Sequence, residues 1–374
     1  MFEKTKACCD GFLQMGIPGF DFLVYRDGKE FFRYMGGYSD LEEKTPIRGD
    51  ERRWIYSLTK PITVTCALQL WEQGKFALDD RLSDYLPAFR DMTVRTETGI
   101  RKAENPITIR NVFQMTAGFS YNYHSPSVNA LQEKVPEPTT RQVIDAMAQE
   151  PLLFEPGDQY RYSLGHDVLG ALIEELSGEA FQDYAKTHIF APLGMENTTL
   201  RLPESEYATV SPLYKFHAET GARIRHPGAD EYGYNYVSGG AGCVTTIDDY
   251  MKFAEGLRTG ERLLKRATID AIQSNRLTAH QGRTYTVKNG EYGLGMWVPR
   301  AGHLRQDFGW GGAAGALLAV DLGRGLSMVY MQHMLSSPNQ GLRSSMVETF
   351  LAELEGREDL PQIDSNYKNY HLTY

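Results

Sequence analysis

Strand-like runs stand at both ends of this chain, while the stretch between them reads as helix and loop. Phe20-Asp21-Phe22-Leu23-Val24-Tyr25 and Phe31-Phe32-Arg33-Tyr34-Met35 flank Arg26-Asp27-Gly28-Lys29. Two such runs around a glycine-bearing turn predict a hairpin. Tyr292–Val298, Gly315–Asp321 and Leu326–Gln332 are the strand candidates at the other end. Between them, helical patterns cover Thr140–Gln149, Asp167–Leu176 and Phe181–Ile189, with Pro87, Pro106, Pro136, Pro151 and Pro156 in the intervening loops. Elements distributed this way predict one central antiparallel sheet, built from both termini and flanked by helices, with a mainly helical insertion beside it. On this reading residues 1–374 form one domain. Residues 1–80 with 233–374 supply the sheet and its flanking helices, and 81–232 the insertion. Further helices are expected over Phe2–Met15, from Ser57 to Gln73 before Gly74, from Thr246 to Leu257 and over Arg343–Leu354, with a polar tail after Gly356.

Composition narrows the function classes. With 41% hydrophobic and 11% aromatic residues the chain can build a substantial core. Its net charge of −9 is spread along the sequence, which gives neither nucleic acid nor an anionic membrane a reason to bind. A small-molecule substrate fits better. The N-terminal apolar stretch is broken by Asp10, Gly11 and Gln14, unlike a secretory signal, and no run approaches the roughly 18 apolar residues of a membrane helix. Cys8, Cys9, Cys66 and Cys243 show neither CxxC nor zinc-site spacing. The expectation is therefore a reduced, cytoplasmic protein without metal, in which Cys66 and Cys243 are small buried hydrophobes.

Ser57-Leu58-Thr59-Lys60 opens the first long helix, and Pro61, tolerated only in a first turn, pins the start near Ser57. Residues three apart share a helix face, so the hydroxyl of Ser57 comes beside the amine of Lys60. A partly buried lysine near the positive helix terminus has a lowered pKa and can serve as a base for the serine. The Ser57 N–H can meet a developing oxyanion. By itself the pair is weak evidence. Chance supplies about one Ser-x-x-Lys in such a chain, a second stands at Ser365 to Lys368, and a serine at a helix start is ordinarily a cap.

Two further segments change the weight of that pair. Tyr160-Arg161-Tyr162-Ser163-Leu164-Gly165 runs from a turn into a helix, and its Tyr162 phenol can reach a pocket or simply pack with its hydroxyl bonded. Phe308-Gly309-Trp310-Gly311-Gly312-Ala313-Ala314-Gly315 leads into Ala316–Val320, where glycines let a ligand approach the backbone of an edge strand. In order and spacing these three segments resemble the serine β-lactamase and penicillin-binding superfamily, nearest class C β-lactamases and family VIII carboxylesterases. Gly74–Leu82, Tyr85-Leu86-Pro87, Ile107–Arg110, Met115-Thr116-Ala117-Gly118, Pro192-Leu193-Gly194-Met195 and Gly239-Gly240-Ala241-Gly242 are similar too, so the resemblance spans Tyr56 to Gln332.

The resemblance implies a β-lactamase/transpeptidase-like fold and an acyl-enzyme on Ser57, with Lys60 and Tyr162 sharing the proton transfers. It also implies an oxyanion hole from the N–H groups of Ser57 and Ala313, a substrate wall of Leu164, Trp310, Gly311 and Gly312, and no cofactor. Leu164 stands where the family usually has Asn, and Trp310 where it usually has Lys. Losing an amide and a cation removes polar recognition of a β-lactam, about 1–3 kcal/mol per contact, and favours an uncharged ester. A β-lactamase, a D-amino-acid peptidase, an acyltransferase and a non-catalytic sensor on the same fold remain open at this point. A Ser-His-Asp esterase lacks its Gly-x-Ser-x-Gly elbow here, and no HExxH supports a metalloprotease.

Overall fold

The computed structural model describes residues 1–228, 233–287 and 290–357. The second Ser-x-x-Lys, at Ser365 to Lys368, and nearly all of the polar tail lie outside them. Eight strands form the main sheet: β1 Gly19–Arg26, β2 Lys29–Asp40, β3 Thr45–Pro46, β4 Gly290–Tyr292, β5 Trp297–Pro299, β6 Phe308–Gly311, β7 Leu317–Asp321 and β8 Leu326–Gln332. Their order across the sheet is β4-β5-β6-β7-β8-β1-β2-β3, antiparallel throughout. The two ends of the chain meet where β1 pairs with β8, Phe20 opposite Gln332 through Arg26 opposite Leu326.

Alternation along these central strands builds two cores. Phe20, Phe22 and Val24 of β1, Leu317 and Ala319 of β7, and Leu326, Met328 and Tyr330 of β8 face one side. They pack there with helices α1 (Glu3–Gln14) and α6 (Arg343–Leu354), through Cys9, Phe12, Val347 and Phe350. Leu23, Leu318, Val320, Val329 and Met331 face the other side, against α2 (Lys60–Glu72), α4 (Gly165–Ser177) and α5 (Ile247–Thr259). Strands covered on both faces lose the usual polar alternation, which is why β7 and β8 read as continuous apolar runs. Helix α3 (Thr140–Met147) carries a capping box at Thr139 and packs outside α4.

Four expectations change in detail. The first long helix opens with a 3-10 turn over Tyr56–Thr59 and becomes α-helical at Lys60, so Pro61 marks the start of α2 rather than the position of Ser57. Tyr292–Val298 is not one strand. Gly293 and Gly295, the latter at φ 76°, fold it into a turn between β4 and β5. Phe308–Gly311 is a strand in its own right, hairpin-paired to β7, instead of a lead-in to it. The middle of the chain also holds two small hairpins, Thr93–Thr96 with Gly99–Lys102 and Leu213–His217 with Ala222–His226. No helix among the described residues is long and apolar enough to cross a membrane. All four cysteines are free, with Cys66 and Cys243 buried.

Candidate active site

Helix α2 is apolar nearly all round, with Ile62, Val64, Cys66, Leu68 and Leu70 fully enclosed, the pattern of a helix that must run through a core. Its polar side chains stitch it to the glycine-rich segment 239–243. Thr63 Oγ1 donates to Gly239 O at 2.6 Å and Lys60 Nζ to Gly240 O at 2.9 Å, while Thr59 Oγ1 accepts from Cys243 N–H at 3.0 Å. Close approach explains the glycines here. A Cβ on Gly239 would lie 2.1 Å from the carbonyl oxygen of His166 on α4, so a side chain cannot fit between the two helices.

The start of this element presents the reactive group. Tyr56, just before Ser57, holds a left-handed φ of 47°, a conformation that costs a non-glycine residue about 1 kcal/mol and often marks a functional site. Ser57 is 7% exposed and Lys60 is 0% exposed. Tyr162 Oη donates to Ser57 Oγ at 2.6 Å, and Lys60 Nζ lies 3.3 Å from the same oxygen. The tyrosine reaches this oxygen from 105 residues away in sequence. Burial pushes the Lys60 amine down to about 7, with the negative charge of Asp167 opposing the shift. Burial pushes the Tyr162 phenol up to about 12, while hydrogen bonding with Ser57, Trp310 and Tyr121 pulls it back. A near-neutral amine and a protonated phenol therefore share one serine hydroxyl, which suits Lys60 to accept a proton and Tyr162 to donate one.

Aromatic rings frame the pair. Tyr162 stacks on Tyr121 with centroids 5.1 Å apart and on Trp310 at 5.9 Å, and Trp310 meets Tyr292 edge to face at 5.2 Å. Lys60 Nζ lies 4.7 Å from the Tyr162 centroid and 5.6 Å from that of Tyr121, a favourable place for a desolvated cation. Tyr121 was not singled out from the sequence. The signal available was its place three residues after Met115-Thr116-Ala117-Gly118, within Tyr121-Asn122-Tyr123.

The glycine-rich strand end completes the cleft. β6 pairs with β5 only at Gly309, so past that residue its edge stands open beside Ser57. A Cβ on Gly312 would lie 2.1 Å from the carbonyl oxygen of Ile55, and this closeness draws the 312–313 turn against the residues leading into Ser57. Arg343 Nη1, from α6, donates to the carbonyls of Gly312 and Ala316 and holds the turn from behind. The Ala313 N–H has no backbone acceptor among the described residues. Of the expected substrate wall, Trp310 and Gly311 border the cleft, whereas Leu164 is 0% exposed. Leu164 lies at the cap of α4, its N–H bonded to Ser120 O, and packs in the interior instead of facing a substrate. Gly312 acts through its contact with Ile55 and is itself buried. Among the described residues, no group of three or more His, Cys, Asp or Glu side chains could hold a metal ion.

A serine at the head of a buried helix, a lysine one turn on and a tyrosine from the helical layer, set beside an antiparallel sheet, define a serine hydrolase of the β-lactamase/transpeptidase fold. The chain belongs to the β-lactamase family, which residues 6–344 match. Among its relatives is esterase EstB of Burkholderia gladioli, 27% identical over 346 residues covering 83% of this chain and 84% of that protein. The lovastatin esterase of Penicillium rubens is 27% identical over 249 residues, 61% of this chain and 60% of that one. In three dimensions the chain is similar to EstCE1, described as a hydrolase with promiscuous acyltransferase activity, with a TM-score of 0.76 at 26% identity over 93% of this chain and 98% of the other. The LovD6 mutant of the simvastatin synthase LovD of Aspergillus terreus shares the fold, with a TM-score of 0.79 at 20% identity over 95% and 97% of the two chains.

Proposed function

We propose that this protein is a carboxylesterase that hydrolyses small, uncharged esters through an acyl-enzyme on Ser57. The observation that carries the reading is the convergence of Tyr162 Oη and Lys60 Nζ on Ser57 Oγ. Neutral Lys60 takes the Ser57 proton as the oxygen attacks the ester carbonyl. The N–H groups of Ser57 and Ala313 hold the resulting oxyanion. When the intermediate collapses, Tyr162 protonates the departing alkoxide and recovers a proton from Lys60. Water then attacks the acyl-enzyme by the same route in reverse. With an indole at 310 in place of a cation, the cleft offers no charge there to a substrate carboxylate, which favours esters over β-lactams. The likeness to EstB and to lovastatin esterase points the same way.

The test is turnover of short-chain p-nitrophenyl esters beside a chromogenic cephalosporin on one preparation. Ester turnover is expected, lost on Ser57→Ala and reduced about 10²–10⁴-fold by Tyr162→Phe, the range for removing a general acid–base group. A fluorophosphonate should leave its adduct on the peptide containing Ser57. Full activity in Ser57→Ala would end this reading, and efficient cephalosporin hydrolysis would replace it with a β-lactamase.

A further inference from the structure

We propose that Asp167 is a fixed countercharge for Lys60, a positioning residue that steadies the ammonium formed each time Lys60 takes the serine proton. The inference rests on the mechanism above but concerns a residue that touches neither Ser57 nor the cleft.

Asp167 stands in the first turn of α4 and is 1% exposed. A buried carboxylate costs several kcal/mol unless its oxygens are bonded, and only half of this one is. Oδ1 accepts from Tyr236 Oη at 2.6 Å and from Ser238 Oγ at 2.8 Å. Oδ2 is shut off from solvent and has no hydrogen-bond partner. It points instead toward the backbone of Gly240, where a Cβ would lie 2.7 Å from Oδ2 and 3.2 Å from Lys60 Nζ. Carboxylate and amine thus both border the space beside the Gly240 Cα that a side chain would fill, near enough for a strong field but without a direct ion pair. Gly240 O meanwhile accepts from Lys60 Nζ and anchors the amine at this place.

The groups facing Lys60 from the surrounding elements leave this task to Asp167. Tyr162 and Tyr121 present ring faces. His166, beside Asp167 on α4, is held neutral by burial, its pKa down to about 3. Tyr236 donates its phenol proton to the carboxylate, and burial keeps the Tyr123 phenol protonated. The separation itself has a chemical use. A contact salt bridge would lock Lys60 in its protonated form and end its service as a base, whereas burial with no countercharge would leave it unable to hold a proton. A carboxylate across this gap, its Oδ1 fixed by two hydroxyls so that it cannot swing over, sets the amine between these limits.

The test follows the Lys60 side chain directly, by its 13Cε resonance, in a Ser57→Ala background where no turnover is needed. Replacing the charge with Asp167→Asn is expected to lower the Lys60 titration midpoint by about two pH units, as for unit charges about 6 Å apart at an effective dielectric constant of about 20. With Ser57 intact, the acidic limb of kcat/KM for an uncharged ester should move down by the same amount while KM stays put. Tyr236→Phe/Ser238→Ala removes both hydrogen bonds that stabilise the buried charge, so the Lys60 midpoint should fall in the same direction as in Asp167→Asn. An unmoved midpoint in folded Asp167→Asn overturns the proposal. If that variant does not fold, an unmoved midpoint in Tyr236→Phe/Ser238→Ala overturns it. Because the resonance reports without catalysis, a failed esterase assay with a shifted midpoint would sink the esterase reading and leave this one standing.

Discussion

Lys60→Met should abolish activity and at the same time make the protein more stable, by an amount that depends on pH in a defined way. The lysine is completely buried and its pKa falls from the ordinary 10.5 to about 7. Between those values the unfolded chain binds a proton that the folded chain does not, so folding stability rises with pH across this window. Below about 7 the folded protein must bury the ammonium, and the full cost applies. The shift corresponds to about 5 kcal/mol. Methionine fills much the same space without charge and removes that cost. Against it stands the lost bond to Gly240 O, about 1–2 kcal/mol, the attraction of Asp167 being already contained in the pKa of about 7. The net gain at pH 7 is then about 3–4 kcal/mol, a stability cost carried by the native site for the sake of chemistry. Denaturant unfolding of both proteins at a series of pH values measures it. Groups other than Lys60 cancel in the difference, so the advantage of Lys60→Met should shrink by about 1.4 kcal/mol per pH unit above 7 and level off below it. A difference that stays flat between pH 7.5 and 9.5 would mean that Lys60 titrates like an exposed lysine, and the account of its burial would fall.

Three other substitutions probe how the site is held and what it selects. Gly239→Ala forces a methyl group against the His166 carbonyl and should destabilise the protein by about 2–3 kcal/mol, while Gly282→Ala, with open space around it, should change stability by less than about 0.5 kcal/mol; equal thermal shifts in the two would refute the wedge between α2 and α4. Trp310→Lys returns a cation to the open edge of β6 and removes the ring that stacks on Tyr162. The ratio of cephalosporin to p-nitrophenyl ester kcat/KM should rise about tenfold or more, and an unchanged ratio would show that residue 310 does not select substrates.

Local rules carried a good part of this structure. Asp27-Gly28 between two aromatic runs fixes the β1–β2 hairpin, because two residues at positive φ (48° and 82°) match the twist of antiparallel strands. Ser57, Lys60 and Pro61 mark the head of α2 through helix periodicity and the missing proline N–H. The apolar runs of β7 and β8 announce strands covered on both sides. The reach of Tyr162 toward Ser57 came from the order and spacing of motifs rather than from any local rule, since 105 residues separate them. The 2.6 Å separation itself needs the packed fold.

What the sequence alone determined was the set of reactive residue types and the elements that bear them. Tertiary structure alone decided their environment. Leu164, beside Tyr162 in the chain, is turned into the core, whereas Tyr121, unmarked by any motif, stacks on the phenol. The same holds for Asp167, which acts on Lys60 from another helix over the side-chain space left empty at Gly240. The physical reason is that propensity, capping and periodicity act over a few neighbouring residues. Burial, and with it the pKa of a lysine or the reach of a carboxylate's field, depends on which distant segments are pressed together.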